Sequence, residues 1–310
     1  EMKIRGEQDE LAEERKGLEK ILGSYMEMKK LLVREFTEDM NKYGDARRSP
    51  IVMRREAQAL SETELMPSEP VTVVLSEKGW VRQAKGHEVD AAALSYKAGD
   101  SFFAKAEGRS NQLAHFIDST GRSYSLLASS LPSARGQGEP LTGKLNPPPG
   151  AQFRGLLMGE NAQRVVMTSS AGYGFVTTLG DLEAGNKNGK TLLNVPDGAT
   201  VLAPAPVQAV ETDVLAVLSS EGRLLVFPVA DLPQLAKGKG NKLMNIAADE
   251  NEVVLGVACL REGQKLTVLA GSRHVTLKWS DLEVYRGERG RRGAKLPRGF
   301  QKVDGMRIEG

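Results

Sequence analysis

The stretch VVLSEKGWVRQ at residues 73–83 decides the fold, because similar patterns return four more times along the chain. The other copies are HFIDSTGRSYSLL (115–127), VVMTSSAGYGFVTT (165–178), AVLSSEGRLLVFP (216–228) and TVLAGSRHVTLKW (267–279). Each copy is an apolar run, a polar turn and a second apolar run, which predicts a β-hairpin. The turn residues Gly79, Gly121, Gly172, Gly222 and Ser272 follow one another at steps of 42, 51, 50 and 50 residues. This regular spacing predicts an array of one copied structural unit.

The repeat continues beyond the turn. An aliphatic residue stands ten positions after each turn residue: Val89, Leu131, Leu182, Leu232 and Leu282. In three copies an aspartate precedes it: Asp181, Asp231 and Asp281. We expect this aliphatic position to be buried in every unit. In the fifth copy the turn is one residue shorter, and Gly271 supplies the flexible backbone.

The units are rich in Val, Leu and Thr and are punctuated by Gly and Pro, which indicates short strands. A unit of 42 to 51 residues is long enough for a four-stranded blade. The sequence therefore predicts a mainly β, five-bladed, propeller-like disc over residues 71–310, preceded by a short helical segment.

The helical segment is predicted at residues 1–48. Apolar residues recur there at steps of three, four and seven, which places them on one stripe of a helix: Leu11, Leu18, Ile21, Leu22, Tyr25, Met28, Leu32, Phe36 and Met40. Gly23 interrupts the stripe, so we predict helices at about 7–22 and 25–43, with Gly44 ending the second. Ser24 and Glu27 have the spacing of a capping box. The stripe needs a partner surface, either the repeats or a domain outside this chain.

Residues 49–70 are polar, lack a sustained period and close with Pro67 and Pro70, which predicts a linker. Charge is unevenly distributed along the chain. Residues 1–70 have a net charge of −3, whereas the remainder has a net charge of +5. The repeats therefore carry the basic surplus.

Much of that surplus lies in glycine-rich loops after the aliphatic position. They read ARGQGEP (134–140), AGNKNGK (184–190), AKGKGNK (236–242) and YRGERGRRGAK (285–295), while the first unit offers only KGH (85–87). Lys and Arg neutralise phosphate, and glycine lets backbone amides approach an anion. Aligned on one edge of a disc, these loops would form a positive track. The alternative is that they are ordinary solvated loops.

Catalytic patterns are scarce. His87, His115 and His274 lie in different units, and none has a second ligand at metal-binding spacing. AGNKNGKT (184–191) matches a loose phosphate-loop pattern, but Pro196 and Gly198 exclude the helix that a nucleotide site requires. The chain is therefore interpreted as a binding protein. A propeller that binds protein partners without touching nucleic acid is the alternative class.

Composition sets the broad context. Cys259 is the single cysteine and lies in an apolar run, so a disulfide framework is excluded and a reducing, cytoplasmic compartment is expected. No apolar run approaches the roughly 18 residues of a membrane span. Because the chain starts at Glu1 rather than Met, we expect it to be part of something longer.

The repeat AVLSSEGRLLVF with its Asp-Leu step resembles the C-terminal domain of bacterial type IIA topoisomerase A subunits. The segment ILGSYMEMKKLLVREFTEDMNKYGDARRSPI (21–51) is similar to the last helices of the DNA breakage core in the same family, where the coiled-coil arm returns to the dimer gate. The resemblance implies a β-pinwheel whose blades exchange strands with their neighbours, in a ring that is either open or closed. It also implies double-stranded DNA as a partner and a place near the nucleoid.

The family's catalytic tyrosine is expected upstream of this segment. We therefore propose no nucleophile among the tyrosines, which are Tyr25, Tyr43, Tyr96, Tyr124, Tyr173 and Tyr285. The resemblance implies no cofactor in this chain, because ATP and Mg²⁺ would act through other domains of the parent enzyme. It implies an assembly of two A subunits with two ATPase B subunits.

Within the family, gyrase A subunits carry a basic box of the form QRRGGKG after the first blade. The corresponding stretch here, QAKGHEVDAAALSYKAGD (83–100), lacks that box, and the first repeat is about eight residues short. Together with five repeats rather than six, this resembles the topoisomerase IV branch and argues against tight chiral wrapping of DNA.

The DNA-binding residues predicted from the loops are Lys85, Arg135, Lys187, Lys190, Lys237, Lys239, Lys242, Arg286, Arg289, Arg291 and Arg292. A second group lies at or just after the hairpin turns: Arg82, Arg122, Arg223 and Arg273. Members of the second group have acidic neighbours as alternative partners. Binding through phosphates predicts that DNA is bent without regard to its sequence.

Overall fold

The computed structural model describes residues 1–45, 49, 68–247 and 251–309. The chain divides into two compact units, Glu1–Ala59 and Leu60–Gly310. Most of the predicted linker at 49–70 lies outside the described residues, so its boundaries stay a prediction.

The first unit consists of helix α1 (Met2–Gly23) and helix α2 (Tyr25–Tyr43). The predicted break is confirmed, because Ser24 between them has an extended backbone with φ −135° and ψ 115°. The predicted capping box is wrong: the Ser24 side chain makes no capping hydrogen bond, and Lys30 Nζ donates to Glu27 Oε1 at 3.0 Å instead. Gly44 ends α2 by donating its N–H to the Met40 carbonyl.

The apolar stripe of the first unit is exposed. Neither helix contains a buried residue. Tyr25 and Phe36 are 82% and 70% exposed. The helices α1 and α2 therefore do not cover the stripe themselves.

The second unit contains the five predicted hairpins, which are confirmed. They are β1 (Pro70–Ser76) with β2 (Trp80–Lys85), β4 (Leu113–Asp118) with β5 (Arg122–Leu127), β8 (Arg164–Thr168) with β9 (Tyr173–Thr178), β12 (Val214–Ser219) with β13 (Arg223–Pro228), and β16 (Lys265–Ala270) with β17 (Arg273–Leu277). The turn glycines have positive φ, which explains why glycine recurs there: Gly79, Gly121, Gly172, Gly222 and, in the shorter fifth turn, Gly271.

Each hairpin gains a third strand on the side of its first strand. These strands are β3 (Phe102–Arg109), β7 (Phe153–Leu157), β11 (Ala205–Val207), β15 (Val254–Leu260) and β19 (Gly305–Glu309). Neighbouring blades meet through them, since β3 contacts β7, β11 contacts β15 and β15 contacts β19. These strands therefore form the inner edge of the blades.

The fourth strand of a blade comes from the next repeat. These returning strands are β6 (Glu139–Pro140), β10 (Lys190–Thr191), β14 (Asn241–Lys242) and β18 (Ala294–Lys295). Each follows one hairpin in the sequence but pairs with the second strand of the preceding hairpin, on the outer edge of that blade. Blades 1 to 4 are thus four-stranded sheets completed by strand exchange, the arrangement of a β-pinwheel.

The apolar core lies between blades. Four clusters of buried side chains join blades 1 to 2, 2 to 3, 3 to 4 and 4 to 5, around Phe116, Phe175, Phe227 and Leu282 respectively. Within the described residues no such cluster joins blade 5 to blade 1, and blade 5 keeps three strands. Among the described residues, strand exchange therefore links consecutive blades from 1 to 5 but does not link blade 5 to blade 1.

The aliphatic position after each turn is buried in four of the five units: Leu131, Leu182, Leu232 and Leu282. The prediction is wrong for Val89, which is only half-buried. Val89 follows the first hairpin, which has no preceding blade to receive a returning strand. Its segment instead folds on blade 1, where Arg82 Nη1 donates to the Ser95 carbonyl at 2.7 Å.

Candidate nucleic-acid interface

The basic glycine-rich segments are the loops that lead into the returning strands. We name them loop 1 (133–138), loop 2 (184–189), loop 3 (234–240) and loop 4 (286–293). Three of these loops first run beside the second strand of the preceding hairpin, through Gln83 with Ser133, Val176 with Gln234 and Val226 with Arg286. In loop 2, the Ala184 N–H donates to Ser125 Oγ at 3.0 Å. The four loops therefore occupy equivalent places on the outer edges of blades 1 to 4.

A glycine with positive φ ends each loop, just before or at the start of its strand: Gly138, Gly189, Gly240 and Gly293. A Cβ at Gly189 would lie 2.6 Å from the Ser123 carbonyl oxygen, and one at Gly293 would lie 2.8 Å from that of Leu224. We expected glycine to admit an anion. Instead, these glycines let the loop pack against the backbone of the preceding blade.

Consecutive loops are joined by hydrogen bonds. After loop 1, Asn146 donates its N–H to the Lys187 carbonyl of loop 2 at 2.8 Å. After loop 2, Asn194 donates its N–H to the Gly238 carbonyl of loop 3 at 2.9 Å. After loop 3, Asn245 donates its N–H to the Arg291 carbonyl of loop 4 at 2.9 Å. Loops 1 to 4, with their returning strands, therefore form one continuous row, which we call the belt.

The belt carries a set of free cations. These side chains are exposed and form no salt bridge within the part of the chain that the structure describes: Arg135, Lys187, Lys190, Lys237 and Lys239. Hydrogen bonds from Thr178 and Thr177 lower the pKa of Asp181, and the charge of Lys190 lowers it further. Lys239 Nζ lies 4.0 Å from the centre of the Tyr173 ring. Each of the first three loops contributes at least one such charge. Lys190 adds another at the start of β10, directly after loop 2.

A second set of predicted residues is ion-paired. Lys85 lies 3.0 Å from Glu69, Arg286 lies 2.8 Å from Glu283 and Arg291 lies 2.9 Å from Glu288. Exposed pairs of this kind contribute only about 0 to 1 kcal/mol, so these cations could transfer to a phosphate at little cost.

Arg292 differs from the exposed pairs because its partner is buried. Its guanidinium lies 3.7 Å from the buried Glu252 carboxylate. The same carboxylate accepts from Ser219 Oγ at 2.7 Å and from the Ala247 N–H at 2.8 Å. Arg292 is thus tied to the turn of blade 4.

The arginines after the hairpin turns hold the loops. Arg122 Nη1 donates to the Asn188 carbonyl at 2.9 Å, and Arg223 Nη1 donates to the Gly293 carbonyl at 3.2 Å. Arg82 is buried and donates to the Gly136 carbonyl at 3.0 Å, so its prediction as a DNA contact is wrong. The alternative role considered for these arginines was an ion pair with an acidic neighbour. Among the described residues, Arg82, Arg122 and Arg223 form no such ion pair. The returning loops present carbonyl oxygens that a guanidinium can satisfy.

Three further predicted residues have local partners. Arg289 Nη1 donates to the Lys242 carbonyl at 2.7 Å, which ties loop 4 to β14. Lys242 Nζ donates to Asn245 Oδ1 at 2.7 Å, within the same segment of the chain. Arg273 is exposed on β17, with its guanidinium 6.0 Å from the centre of the Phe300 ring. It lies outside the belt because β17 receives no returning strand.

One belt cation was missed by the sequence reasoning. Lys295 is exposed in β18, at the end of the quoted segment 285–295. The signal in the sequence was a lysine followed by an apolar residue. Successive side chains of a strand point to opposite faces, so Lys295 is exposed where Leu296 is buried.

His115 is a core residue of blade 2. It is buried, and its Nδ1 lies 3.0 Å from Ser125 Oγ. Burial, and secondarily the charge of Lys190, lowers the pKa of His115 to about 4. The residue is therefore neutral at physiological pH.

Other site classes find no support within the described residues. The segment that resembles a phosphate loop runs into β10 and opens no helix. In the described ranges, no three His, Cys, Asp or Glu side chains are grouped so that they could hold a metal ion. No helix in those ranges is long and apolar enough to cross a membrane.

Comparison with known proteins agrees with this architecture. A family model described as the DNA gyrase C-terminal domain, beta-propeller, matches residues 163–208 and 213–261. The chain is 61% identical to the A subunit of DNA topoisomerase 4 from Pseudomonas aeruginosa and 51% identical to that from Escherichia coli K12. These alignments cover 100% of this chain but 42% and 41% of the relatives, so the chain spans about two-fifths of their length.

Solved structures show the same relationship. The E. coli ParC C-terminal domain matches with a TM-score of 0.70 and 50% identity, over 78% of this chain and 99% of that chain. The DNA gyrase A C-terminal domain matches with a TM-score of 0.56 at 16% identity, over 76% of this chain and 81% of that chain, which shows a shared fold. Since half of the aligned residues are identical to the ParC domain over nearly the whole of that structure, the chain belongs to the topoisomerase IV branch of the gyrase A family, and its second unit is the C-terminal β-pinwheel.

Proposed function

We propose that the belt binds duplex DNA through its phosphates and bends it around the outer edge of the pinwheel. The observation that supports this most strongly is the hydrogen-bonded succession of loops 1 to 4, because it fixes cations from successive blades along one edge. Phosphate contacts of this kind position DNA but carry no sequence information. We therefore expect binding that tolerates any sequence.

The charges on the belt set the salt dependence that we expect of such binding. Each neutralised phosphate contributes about −0.9 to the slope of log affinity against log salt, so the free cations alone predict a slope of about −4 or steeper. Smooth bending of a short duplex costs roughly 1 to 6 kcal/mol. Several phosphate contacts are thus needed to offset it. The ion-paired arginines of loop 4 form a reserve of further contacts.

In the parent enzyme, we propose that this domain presents a duplex to the strand-passage gate during decatenation and relaxation. Residues 1–48 would be the end of the breakage core, and the catalytic tyrosine would lie upstream. The parent would be an ATP-dependent assembly of two A and two B subunits that uses Mg²⁺ in other domains, in the cytoplasm at the nucleoid. We expect bending rather than chiral wrapping, since residues 86–101 fold on blade 1 without adding to the belt.

The alternative of a protein-interaction propeller would need a concentrated apolar patch on the surface. In the described part of the second unit, the large apolar side chains that are exposed are scattered: Leu235, Val253, Val284 and Ile308. No observation favours that alternative.

The test is the salt dependence of binding to a random duplex. Lys187→Ala with Lys190→Ala removes two belt charges and should reduce the slope by about 1.8, with weaker binding. The matched control is Arg261→Ala with Lys265→Ala, which removes two exposed charges from the β15–β16 turn and the start of β16, off the belt. Equal effects of the two double variants, or a flat salt response of the unmodified chain, would refute the proposal.

A further inference from the structure

Loop 2 contains the single Asn-Gly pair of the sequence, Asn188 followed by Gly189. The Asn188 side chain is exposed in a turn. An asparagine followed by glycine is chemically vulnerable, because glycine has no Cβ to shield its nitrogen from the neighbouring side-chain amide. The pair also lies between two free cations of the belt, Lys187 and Lys190.

We propose that Asn188 is a self-modification site, at which the side-chain amide is converted to a carboxylate within the belt. The Gly189 N–H donates to the Asn186 carbonyl at 3.2 Å and must first leave it. The nitrogen then loses its proton to solvent and attacks Asn188 Cγ. The new C–N bond closes a succinimide ring, while the bond from Cγ to the side-chain nitrogen breaks. That nitrogen takes up a proton from solvent and leaves as ammonia. Water then opens the ring at either carbonyl, which gives aspartate or isoaspartate. The only co-reactant is water.

The surroundings of Asn188 favour this reaction electrostatically. Asn146 Nδ2 donates to Asn188 Oδ1 at 3.1 Å, on the oxygen that gains negative charge during the attack. Arg122 donates to the Asn188 backbone carbonyl at 2.9 Å and reaches the Gly189 carbonyl at 3.4 Å. Fixed donors and cations stabilise the amide anion and the oxyanion of the tetrahedral intermediate. The positive charges that we propose bind phosphate would thus also promote the conversion of Asn188.

The product changes the belt in two ways. Either product places a negative charge between Lys187 and Lys190. Isoaspartate also inserts a methylene into the backbone just before Gly189, whose positive φ and close packing on Ser123 set the start of β10. For its effect on DNA, this inference rests on the proposed function.

The test follows conversion during incubation at neutral pH, by peptide mass mapping and by labelling with isoaspartyl methyltransferase. Asn241 is the internal control, because it is exposed in a belt strand but precedes Lys242. Conversion at Asn188 should be at least about tenfold faster, since only glycine leaves the attacking nitrogen unshielded. Asn146→Ala should slow it severalfold, and Asn188→Gln should abolish it. Equal rates at Asn188 and Asn241, or an unchanged rate in Asn146→Ala, would overturn the inference.

Binding of a random duplex by Asn188→Asp separates this inference from the proposed function. One added negative charge should lower the salt slope by about 0.9 and weaken binding. Fast conversion of Asn188 combined with unchanged duplex binding by Asn188→Asp would support the modification site and refute DNA binding at loop 2.

Discussion

Substituting the glycine that ends loop 3 tests whether strand exchange holds the blades together. Gly240 has φ +76°, and a Cβ there would overlap the Gly174 carbonyl and lie 2.9 Å from the Gly174 Cα. Both neighbours are backbone atoms, so no flexible side chain can move aside. Gly240→Ala must therefore shift loop 3 away from blade 3 and weaken the pairing of β14 with β9.

The size of the effect follows from two terms. A left-handed backbone costs an L-residue about 1 to 2 kcal/mol. Displacing the two-residue pairing of β14 adds the loss of a backbone hydrogen bond, at about 0.5 to 1.5 kcal/mol. We expect a loss of about 2 to 3 kcal/mol in the free energy of unfolding, which lowers the Tm of a domain of this size by about 4 to 12 °C.

The assay is thermal and urea unfolding of Gly240→Ala followed by circular dichroism. Gly185→Ala is the matched control, because Gly185 also lies in a belt loop but has no positive φ, and a methyl group added there would meet only open space. The control should retain the unmodified Tm within about 2 °C, the range of an ordinary surface change. Similar Tm values for Gly240→Ala and Gly185→Ala would show that the returning strand does not stabilise the pinwheel.

Two further predictions concern buried polar groups of blade 2. The pKa of His115 is about 4 in the folded chain and 6.5 ordinarily, so the unfolded chain binds a proton first as the pH falls. The free energy of unfolding should therefore drop by about 2 kcal/mol from pH ~7 to pH ~5. His115→Gln should remove most of this pH dependence, as measured by urea unfolding. Asp118 is buried and accepts from the Thr120 N–H, Thr120 Oγ1, the Arg122 N–H and Tyr124 Oη. Asp118→Ala should therefore cost about 3 kcal/mol or more of unfolding free energy, against about 1 kcal/mol for Tyr124→Phe, which removes one hydrogen bond. Equal losses in those two variants would contradict the network.

The hairpins could be predicted from the sequence because their determinants are local. An apolar run, a glycine with positive φ and a second apolar run lie within about fifteen residues of one another, as in the copy around Gly172. The position of the buried aliphatic residue was also predictable where a returning strand follows it. Val89 was the exception, because the role of its segment depends on whether a preceding blade exists.

The strand exchange could not be worked out from periodicity, since it joins residues of different repeats. Lys190 pairs with Ser123, although its own hairpin is β8 with β9. The resemblance to a known family supplied this feature. For the same reason the sequence could not separate free cations from structural ones: Lys187 and Arg122 are both basic residues near a glycine, but of these two only Arg122 donates to a loop carbonyl.

In the belt that we propose binds DNA, the positions of the charges and the packing of the blades depend on the same loops. A cation such as Lys187 projects from a loop whose backbone also completes the neighbouring blade, so the spacing of the charges is set by the packing of the blades. DNA that spans several loops would bind the assembled blades and not the unfolded chain. It would therefore stabilise the pinwheel by an amount that grows with the logarithm of the DNA concentration relative to its Kd. Neutralising a side chain removes only the contact with phosphate, whereas straining Gly240 also moves the next charges along the edge. Affinity for DNA should consequently depend on the returning strands even where no atom of those strands touches the duplex.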